Sequence, residues 1–160
     1  MSLISINPAN DENIRTYDEM TSDTVSEIVE KAHEAHMRWR DVSFSERAAR
    51  MKRAAAILRE RKNDYGELMT KEMGKPVAGA RAEAEKCAWV CDYYAENAER
   101  FLSPEPVETD ATKSFVAFEP IGVVLAVMPW NFPFWQVFRF AAPAPEAVQA
   151  GACVLGRRQV

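Results

Sequence analysis

A continuous apolar run from 122 to 128, bounded by Pro120 and Pro129, places the strongest constraint on the fold of this chain. A short run of this kind is typical of a strand buried on both faces, as in parallel sheets that helices cover. The residues that follow it, 129–133, read Pro-Trp-Asn-Phe-Pro. Asn131 therefore lies just past the carboxyl end of the predicted strand, where ligands bind in open α/β sheets.

Helical spacing dominates the chain before this strand. Four helices are predicted. The first runs from near 21–24 to Trp39, and the second begins at a capping box, Ser43–Glu46. The third ends at Gly74, and the fourth runs from about Pro76 to Leu102. The last is rich in alanine, and its predicted buried stripe is Val77, Ala80, Ala84, Cys87, Cys91, Ala95 and Ala98. Residues 115–118 are predicted to be a further strand. The helices come early in the sequence and the strands come late. This order indicates an α/β fold in which a helical layer is followed by the first strand of a parallel sheet.

Composition fits one ordinary soluble domain. The chain has 160 residues and a formal charge of -4, which argues against nucleic-acid or anionic-membrane partners because both favour a basic face. No apolar run approaches the ~20 residues that span a bilayer. The first residues lack the pattern of a signal peptide. Three cysteines without a framework pattern fit free thiols in a reducing compartment, so a cytoplasmic location is expected.

The segment 129–133 resembles the PWNFP signature of the aldehyde dehydrogenase superfamily. Three further segments resemble motifs of that family in the same order, 72–76 (EMGKP), 93–96 (YYAE) and 119–123 (EPIGV). Four separated motifs are a more specific signal than one. The resemblance runs from Ile4 to about Ala144. It implies that residues 1–144 are the amino-terminal part of an incomplete Rossmann-like cofactor domain, with an oligomerisation strand.

The same resemblance assigns roles around Asn131. It implies that the Asn131 amide stabilises the oxyanion that forms when a thiol attacks an aldehyde, where a fixed donor favours the transition state. It also implies that the backbone of Met128, Pro129 and Trp130 lies against a nicotinamide cofactor, NAD or NADP. From the residues alone, the alternative is that Asn131 is a turn residue that caps the following helix.

Arg139 follows Asn131 by two helical turns, within a stretch rich in aromatic residues. A guanidinium there needs a partner, and its planar fork suits a carboxylate. This arginine and the stretch 134–137 (FWQV) resemble the bacterial succinate-semialdehyde branch of the family. That resemblance implies that Arg139 holds the carboxylate of the substrate, succinate semialdehyde. The alternative is an ion pair with a carboxylate of this chain.

Other polar and thiol residues have simpler interpretations. His33, His36, Cys87 and Cys91 are spaced as two helical pairs, but they lack the turn geometry of common zinc sites. A solvated histidine pair and two small core cysteines are the favoured interpretation, with no metal site. The basic residues Lys52, Arg53, Arg59, Arg61 and Lys62 lie among acidic neighbours, which favours a solvated face over a phosphate site.

The family's cysteine nucleophile, glutamate base and glycine-containing nucleotide loop lie far downstream of PWNFP, so none is expected in a sequence that ends at Val160. The catalytic cysteine is not expected among Cys87, Cys91 and Cys153. We therefore expect a truncated NAD(P)-dependent aldehyde dehydrogenase that is inactive as given. The alternatives are a non-catalytic fragment that pairs with itself or with a full-length homologue, and a pseudogene remnant.

Residues 145–160 depart from the family pattern. Pro145 lies where a helix interior is expected, and Gly156 lies near the place of a lysine that contacts the cofactor ribose. We interpret this segment as an aberrant tail, with a shifted reading frame as the hypothesis. The strand at 122–128 would then lack sheet neighbours and leave backbone groups unpaired, so poor solubility or marginal stability is expected.

Overall fold

The computed structural model describes residues 2–146 and 151–156. Its helices are α1 Ser22–Trp39, α2 Phe44–Glu60, α3 Lys62–Met73, α4 Val77–Leu102, α5 Pro133–Ala141 and α6 Pro143–Glu146. Its strands are β1 Ser2–Ile6, β2 Asn13–Asp18, β3 Glu105–Pro106, β4 Phe115–Val116, β5 Val124–Pro129 and β6 Gly151–Gly156. They form three two-stranded sheets, of which β1–β2 and β3–β4 are antiparallel and β5–β6 is parallel. No helix in these two ranges is long and apolar enough to cross a bilayer.

The predicted helix ends are confirmed by their caps. Thr21 Oγ1 accepts from the backbone N–H of Thr24 at 3.2 Å and so caps α1. Ser43 Oγ accepts from the N–H of Glu46 at 3.3 Å and caps α2, but the Glu46 carboxylate pairs with Arg50, so only the serine half of the predicted capping box forms. Gly74 ends α3 in the left-handed conformation, at φ 71°. These local hydrogen bonds involve the orphan donors and acceptors that every helix end leaves.

The core lies where α4 packs between α2 and α5. Its buried members are Met51, Ala55, Leu58, Cys87, Ala88, Val90, Cys91 and Ala142, with Phe134, Trp135 and Phe138 of α5 packed against them. Most of the predicted α4 stripe is buried, but Val77 at the helix start is 38% exposed. The stripe prediction omitted three buried residues of α4, Glu83, Ala88 and Val90, of which Glu83 is the charged one.

The prediction that the strand after Gly122 would lack a partner was wrong. β5 pairs with β6 in parallel, in a register that runs from Val124 opposite Gly151 to Pro129 opposite Gly156. Residues 151–156 of the predicted aberrant tail thus form a strand. Residues 147–150 and 157–160 of that tail lie outside the described residues.

The prediction that this strand is buried on both faces was also wrong. Ala126 is buried, but Leu125 and Val127 are 66% and 69% exposed. Successive side chains of a strand point to opposite faces, and the described residues cover only the face that carries Ala126. The helical layer and the parallel pair together confirm the predicted α/β class.

Candidate functional site

A cavity of about 540 Å³ lies beyond the carboxyl end of β5, between α4 and α5. It is lined by Lys75, Gly79, Ala82, Glu83, Lys86, Asn131, Phe132, Trp135, Gln136 and Arg139. Two of the predicted site residues, Asn131 and Arg139, therefore line one cavity. Met128 and Pro129 end β5, and Trp130 begins the turn that follows. These three residues are not among those that line the cavity.

The turn from β5 into α5 presents Asn131 to solvent. Phe132 is the N-cap residue of α5 and makes no side-chain cap hydrogen bond, and Pro133 is the first helical residue, a position that suits its fixed φ. Asn131 is exposed and forms no hydrogen bond with any residue that the structure describes. The alternative in which Asn131 caps the following helix is therefore wrong.

Glu83 of α4 provides the cap that α5 lacks. Its Oε1 atom accepts from the backbone N–H groups of Phe134 and Trp135, each at 2.9 Å. These are two of the orphan donors at the helix start, and a carboxylate there also complements the positive end of the helix dipole. The residue is only 5% exposed, so the interaction is shielded from solvent.

Lys75 completes this arrangement. Its ammonium forms an ion pair with Glu83 Oε2, and the side chains of both residues are largely buried. The same ammonium lies 3.9 Å from the centroid of the Phe132 ring. A buried carboxylate needs a counter-charge and hydrogen bonds to offset its desolvation, and Glu83 has both. The pair therefore connects the segment before α4 to the turn that carries Asn131.

Glu83 is a site residue that the sequence did not predict. The sequence feature that could have revealed it is a single carboxylate between Ala80 and Ala84, two small buried residues of the predicted stripe. Charged side chains are seldom fully buried unless they are paired. A buried stripe that contains one carboxylate therefore predicts a specific partner, although the sequence does not reveal which one.

Arg139 lies in the last turn of α5 and is exposed. It forms no ion pair or hydrogen bond with any residue in 2–146 or with the backbone of 151–156. The alternative partner, a carboxylate of this chain, is thus not found in the described part. The guanidinium faces a cavity rather than the aromatic core, so its charge remains hydrated and needs no internal counter-ion.

The buried cysteines are chemically inert. Burial raises the pKa of the Cys87 thiol to about 12, and burial likewise raises that of Cys91 to about 12. The thiolate is the nucleophilic form of cysteine, so neither side chain is reactive near neutral pH. Both pack in the core, as predicted.

No group of three or more potential metal ligands occurs among the described residues. The rings of His33 and His36 lie 6.5 Å apart, but His36 is buried, so the prediction of a solvated pair was wrong for that residue. All five residues of the basic cluster are exposed, in agreement with the predicted solvated face. Within it, Arg59 bonds Glu85 at 2.8 Å and Asp92 at 2.7 Å.

Comparisons with known proteins agree on one family. Residues 2–156 match the pattern described as "Aldehyde dehydrogenase family". The chain is 46% identical over 151 residues to a probable NADP(+)-dependent succinate-semialdehyde dehydrogenase of Synechocystis sp.. It is 43% identical over 154 residues to succinate-semialdehyde dehydrogenase [NADP(+)] 1 of Mycobacterium tuberculosis. The alignments cover 94% of this chain but 33% and 34% of those proteins.

Solved structures give the same result. The fold resembles succinic semialdehyde dehydrogenase from Streptococcus pyogenes in complex with NADP+, with a TM-score of 0.86, 38% identity, and coverage of 95% of this chain and 33% of that one. Succinate-semialdehyde dehydrogenase from Burkholderia pseudomallei matches with a TM-score of 0.88 and 29% identity, over 96% of this chain and 32% of that one. The chain thus spans about a third of the length of the relatives that it matches.

Proposed function

The chain belongs to the aldehyde dehydrogenase family, and from this premise we propose that it forms the amino-terminal third of a succinate-semialdehyde dehydrogenase. The full protein would oxidise succinate semialdehyde to the acid and reduce NADP. Sequence identity of 43–46% to relatives with that name supports the substrate and the cofactor. We further propose that residues 1–144 belong to the cofactor domain, with β1 and β2 as part of the oligomerisation sheet.

One observation carries this proposal: the Asn131 amide and the Arg139 guanidinium, neither paired with a described residue, line the same cavity. In the proposed reaction the Asn131 amide donates a hydrogen bond to the aldehyde oxygen as negative charge develops there. A donor fixed in advance stabilises that transition state more than the ground state. Arg139 binds the carboxylate at the far end of the substrate with two parallel hydrogen bonds. The two residues together would favour an aldehyde that carries an acid group.

The Asn131 turn is held in place without help from a ligand. Glu83 bonds the first free N–H groups of α5, and Pro133, the first residue of that helix, restricts the backbone directly after the turn. Pre-organisation of this kind lowers the cost of reorganising the site during the reaction. Glu83 is thus a positioning residue in the proposed mechanism.

The cofactor would bind at the carboxyl end of β5. Pro129 ends the strand in an exposed position and Trp130 is 38% exposed, so these two residues are accessible to a ligand. This is the edge where open α/β sheets bind nucleotides, so the residues present fit a nicotinamide group. NADP, when bound, accepts the hydride. Met128, Pro129 and Trp130 would position it against the substrate.

We propose that the 160 residues alone do not catalyse the reaction. Cys87 and Cys91 are buried thiols with raised pKa values, so neither of them supplies the thiolate nucleophile that the reaction needs. The test is NADPH formation from succinate semialdehyde by the chain alone, and by a chimera that joins it to the remaining two thirds of the Mycobacterium tuberculosis relative. We expect no turnover by the chain and measurable turnover by the chimera.

Two substitutions in the chimera test the site. Asn131→Ala should lower kcat by roughly 10²–10³-fold, the usual effect of losing one oxyanion donor. Arg139→Met should raise KM for succinate semialdehyde while leaving that for butyraldehyde, which has no carboxylate, unchanged. Turnover by the isolated chain, or full activity of the Asn131→Ala chimera, would refute the proposal.

A second candidate function is a non-catalytic one, in which the chain pairs with a full-length homologue. Leu125 and Val127 are exposed on one face of β5, and Ile121 before the strand is exposed as well. Exposed apolar surface favours this candidate, because it is typical of interaction sites. Co-expression with a tagged full-length relative tests this candidate. Recovery of mixed oligomers would support it, and complete separation of the two chains would exclude it.

A further inference from the structure

Lys86 brings a second cation to the cavity that Arg139 lines. It projects from α4, and its ammonium lies 3.7 Å from the centroid of the Trp135 ring. Neither Lys86 nor Arg139 forms an ion pair with any residue that the structure describes. Arg59, at the α2–α4 interface, is by contrast paired with both Glu85 and Asp92. Lys86 is thus a cation beside a concave surface, with no counter-ion in the part of the chain that the structure describes.

The charges that line the cavity do not balance. Lys75, Lys86 and Arg139 are cationic, and Glu83 is the carboxylate of the lining. Glu83 is already committed to Lys75 and to two backbone N–H groups. Lys86 and Arg139 therefore leave an excess of positive charge. A concave site with charge of one sign attracts a ligand of the opposite sign.

The fold also places these two cations on one side of α5. Trp135 and Arg139 are four residues apart, so their side chains are neighbours on the helix surface. The Lys86 ammonium lies over the Trp135 ring, where a cation–π interaction holds it. Glu83 in turn fixes the backbone of Trp135. The Lys86 ammonium is therefore held beside the position from which Arg139 projects.

We propose that Lys86 and Arg139 form a two-cation subsite that binds the terminal carboxylate of an aldehyde-acid substrate. Arg139 supplies a planar pair of donors, and Lys86 supplies a point charge above Trp135. Lys86 is thus a specificity-determining residue that selects aldehydes with an acid group. This inference rests on the proposed function and adds a residue to its substrate site.

The test uses the 160-residue chain and succinate as the probe. Chemical shifts of the Trp135 indole N–H and the Arg139 Nε–H are followed by NMR as succinate is added at low ionic strength, with neutral succinamide as the ligand control. Both signals should shift with succinate and not with succinamide. Lys86→Met and Arg139→Met should each weaken binding by about tenfold, the effect of losing one charge-assisted contact.

Matched variants distinguish the effect of a cation in the cavity on succinate affinity from the effect of removing any surface cation. Lys52→Met removes an exposed cation of α2 away from the cavity and should leave the affinity unchanged, and Lys86→Arg should retain binding. If Arg139→Met weakens binding and Lys86→Met does not, the inference fails and the proposed role of Arg139 stands. If succinate shifts neither signal, the subsite is refuted, whereas the proposed function is judged separately by the activity of the chimera.

Discussion

Gly74 shows how one residue joins two elements at the residue scale. Its φ of 71° is in the left-handed region, and its N–H donates to the Thr70 carbonyl at 2.9 Å to end α3. A Cβ atom at this position would lie 3.2 Å from Pro8 Cγ, in the loop between β1 and β2. The glycine therefore permits both the helix end and the close approach of the amino-terminal hairpin.

Gly74→Ala should lower the free energy of unfolding by about 1–2 kcal/mol, because alanine in the left-handed conformation is strained. The matched control is Gly79→Ala, in the first turn of α4, where the nearest atom to a new Cβ is Lys75 Cε at 3.9 Å. That change should be neutral or stabilising by up to ~1 kcal/mol. Urea denaturation measures both, and equal effects of the two substitutions would contradict the argument.

At the scale of elements, the start of α5 depends on another helix. The helices α1 and α2 are capped by the side chains of their own N-cap residues, Thr21 and Ser43, but α5 obtains its cap from Glu83 of α4. The contact joins α4 to the start of α5 beside the cavity. The geometry of the candidate site is thus determined by helix packing as well as by the turn itself.

Glu83→Ala should cost about 3 kcal/mol of stability, because it removes two charge-assisted hydrogen bonds and leaves Lys75 unpaired in a mostly buried position. Hydrogen exchange at the Phe134 and Trp135 amides should accelerate. Glu83→Gln keeps an acceptor at Oε1 and should preserve more of that protection. Unchanged exchange at both amides in the alanine variant would show that the contact does not hold the helix start.

The α2–α4 interface has a pH-dependent component. The hydrogen bond from Arg59, opposed in part by desolvation, lowers the pKa of Glu85 below its usual value. A carboxyl with a lowered folded-state pKa stabilises the fold above its unfolded pKa of about 4.3, and this contribution disappears as the pH falls through the folded value. Both side chains are partly exposed, so the contribution is modest.

Glu85→Gln should therefore flatten the loss of stability at acid pH and lower stability at neutral pH. Urea denaturation at a series of pH values below about 5 measures this dependence. Glu67→Gln, an exposed change on α3, serves as the control and should leave the slope unchanged. An identical acid slope in the Glu85→Gln variant would contradict the assignment.

Element boundaries were predictable from sequence where the signals are local. The caps at Thr21, Ser43 and Gly74 lie within four residues of the groups that they bond. The partner of Glu83 was not predictable, because the carboxylate and the Phe134 N–H are 51 residues apart. The pairing of β5 with β6 was likewise missed, since the unusual composition of 145–160 outweighed the β-prone run within it.

The candidate site likewise has features that the local sequence predicts and features that only the fold reveals. The positions of Asn131 and Arg139 after the strand follow from the motif, and the structure brings both to one cavity. The exposure of Arg139 did not follow, because an arginine among aromatic residues suggests burial. Only the fold reveals that the aromatic residues of α5 face α4 while Arg139 faces the cavity. The roles of Asn131, Arg139 and residues 128–130 stay predictions.

At the scale of the whole molecule, the chain leaves much apolar surface uncovered. Leu125 and Val127 are exposed on one face of β5, and Ile121 before the strand is 78% exposed. Soluble monomers rarely present large contiguous apolar patches. This surface supports the expectation that the isolated chain is marginally stable or poorly soluble.

The 160-residue chain should self-associate with rising concentration, because this face gains by being removed from water. Leu125→Lys with Val127→Lys should raise the solubility and shift sedimentation toward the monomer. Thr112→Lys, an exposed loop substitution, adds similar charge elsewhere and should have little effect. A monomer at all concentrations with a sharp cooperative melt would contradict both expectations.

The cap that Glu83 provides has a consequence for how the segment around Asn131 can evolve. Because α5 begins without a polar residue at its own N-cap, natural selection at position 132 is released from capping and can favour a ring beside Lys75. The cap of α5 depends instead on the residue at position 83, in a different helix. Loss of Glu83 would be tolerated in a lineage only after serine, threonine, aspartate or asparagine had arisen at position 132. Positions 83 and 132 are therefore expected to show epistasis, although they lie on different elements.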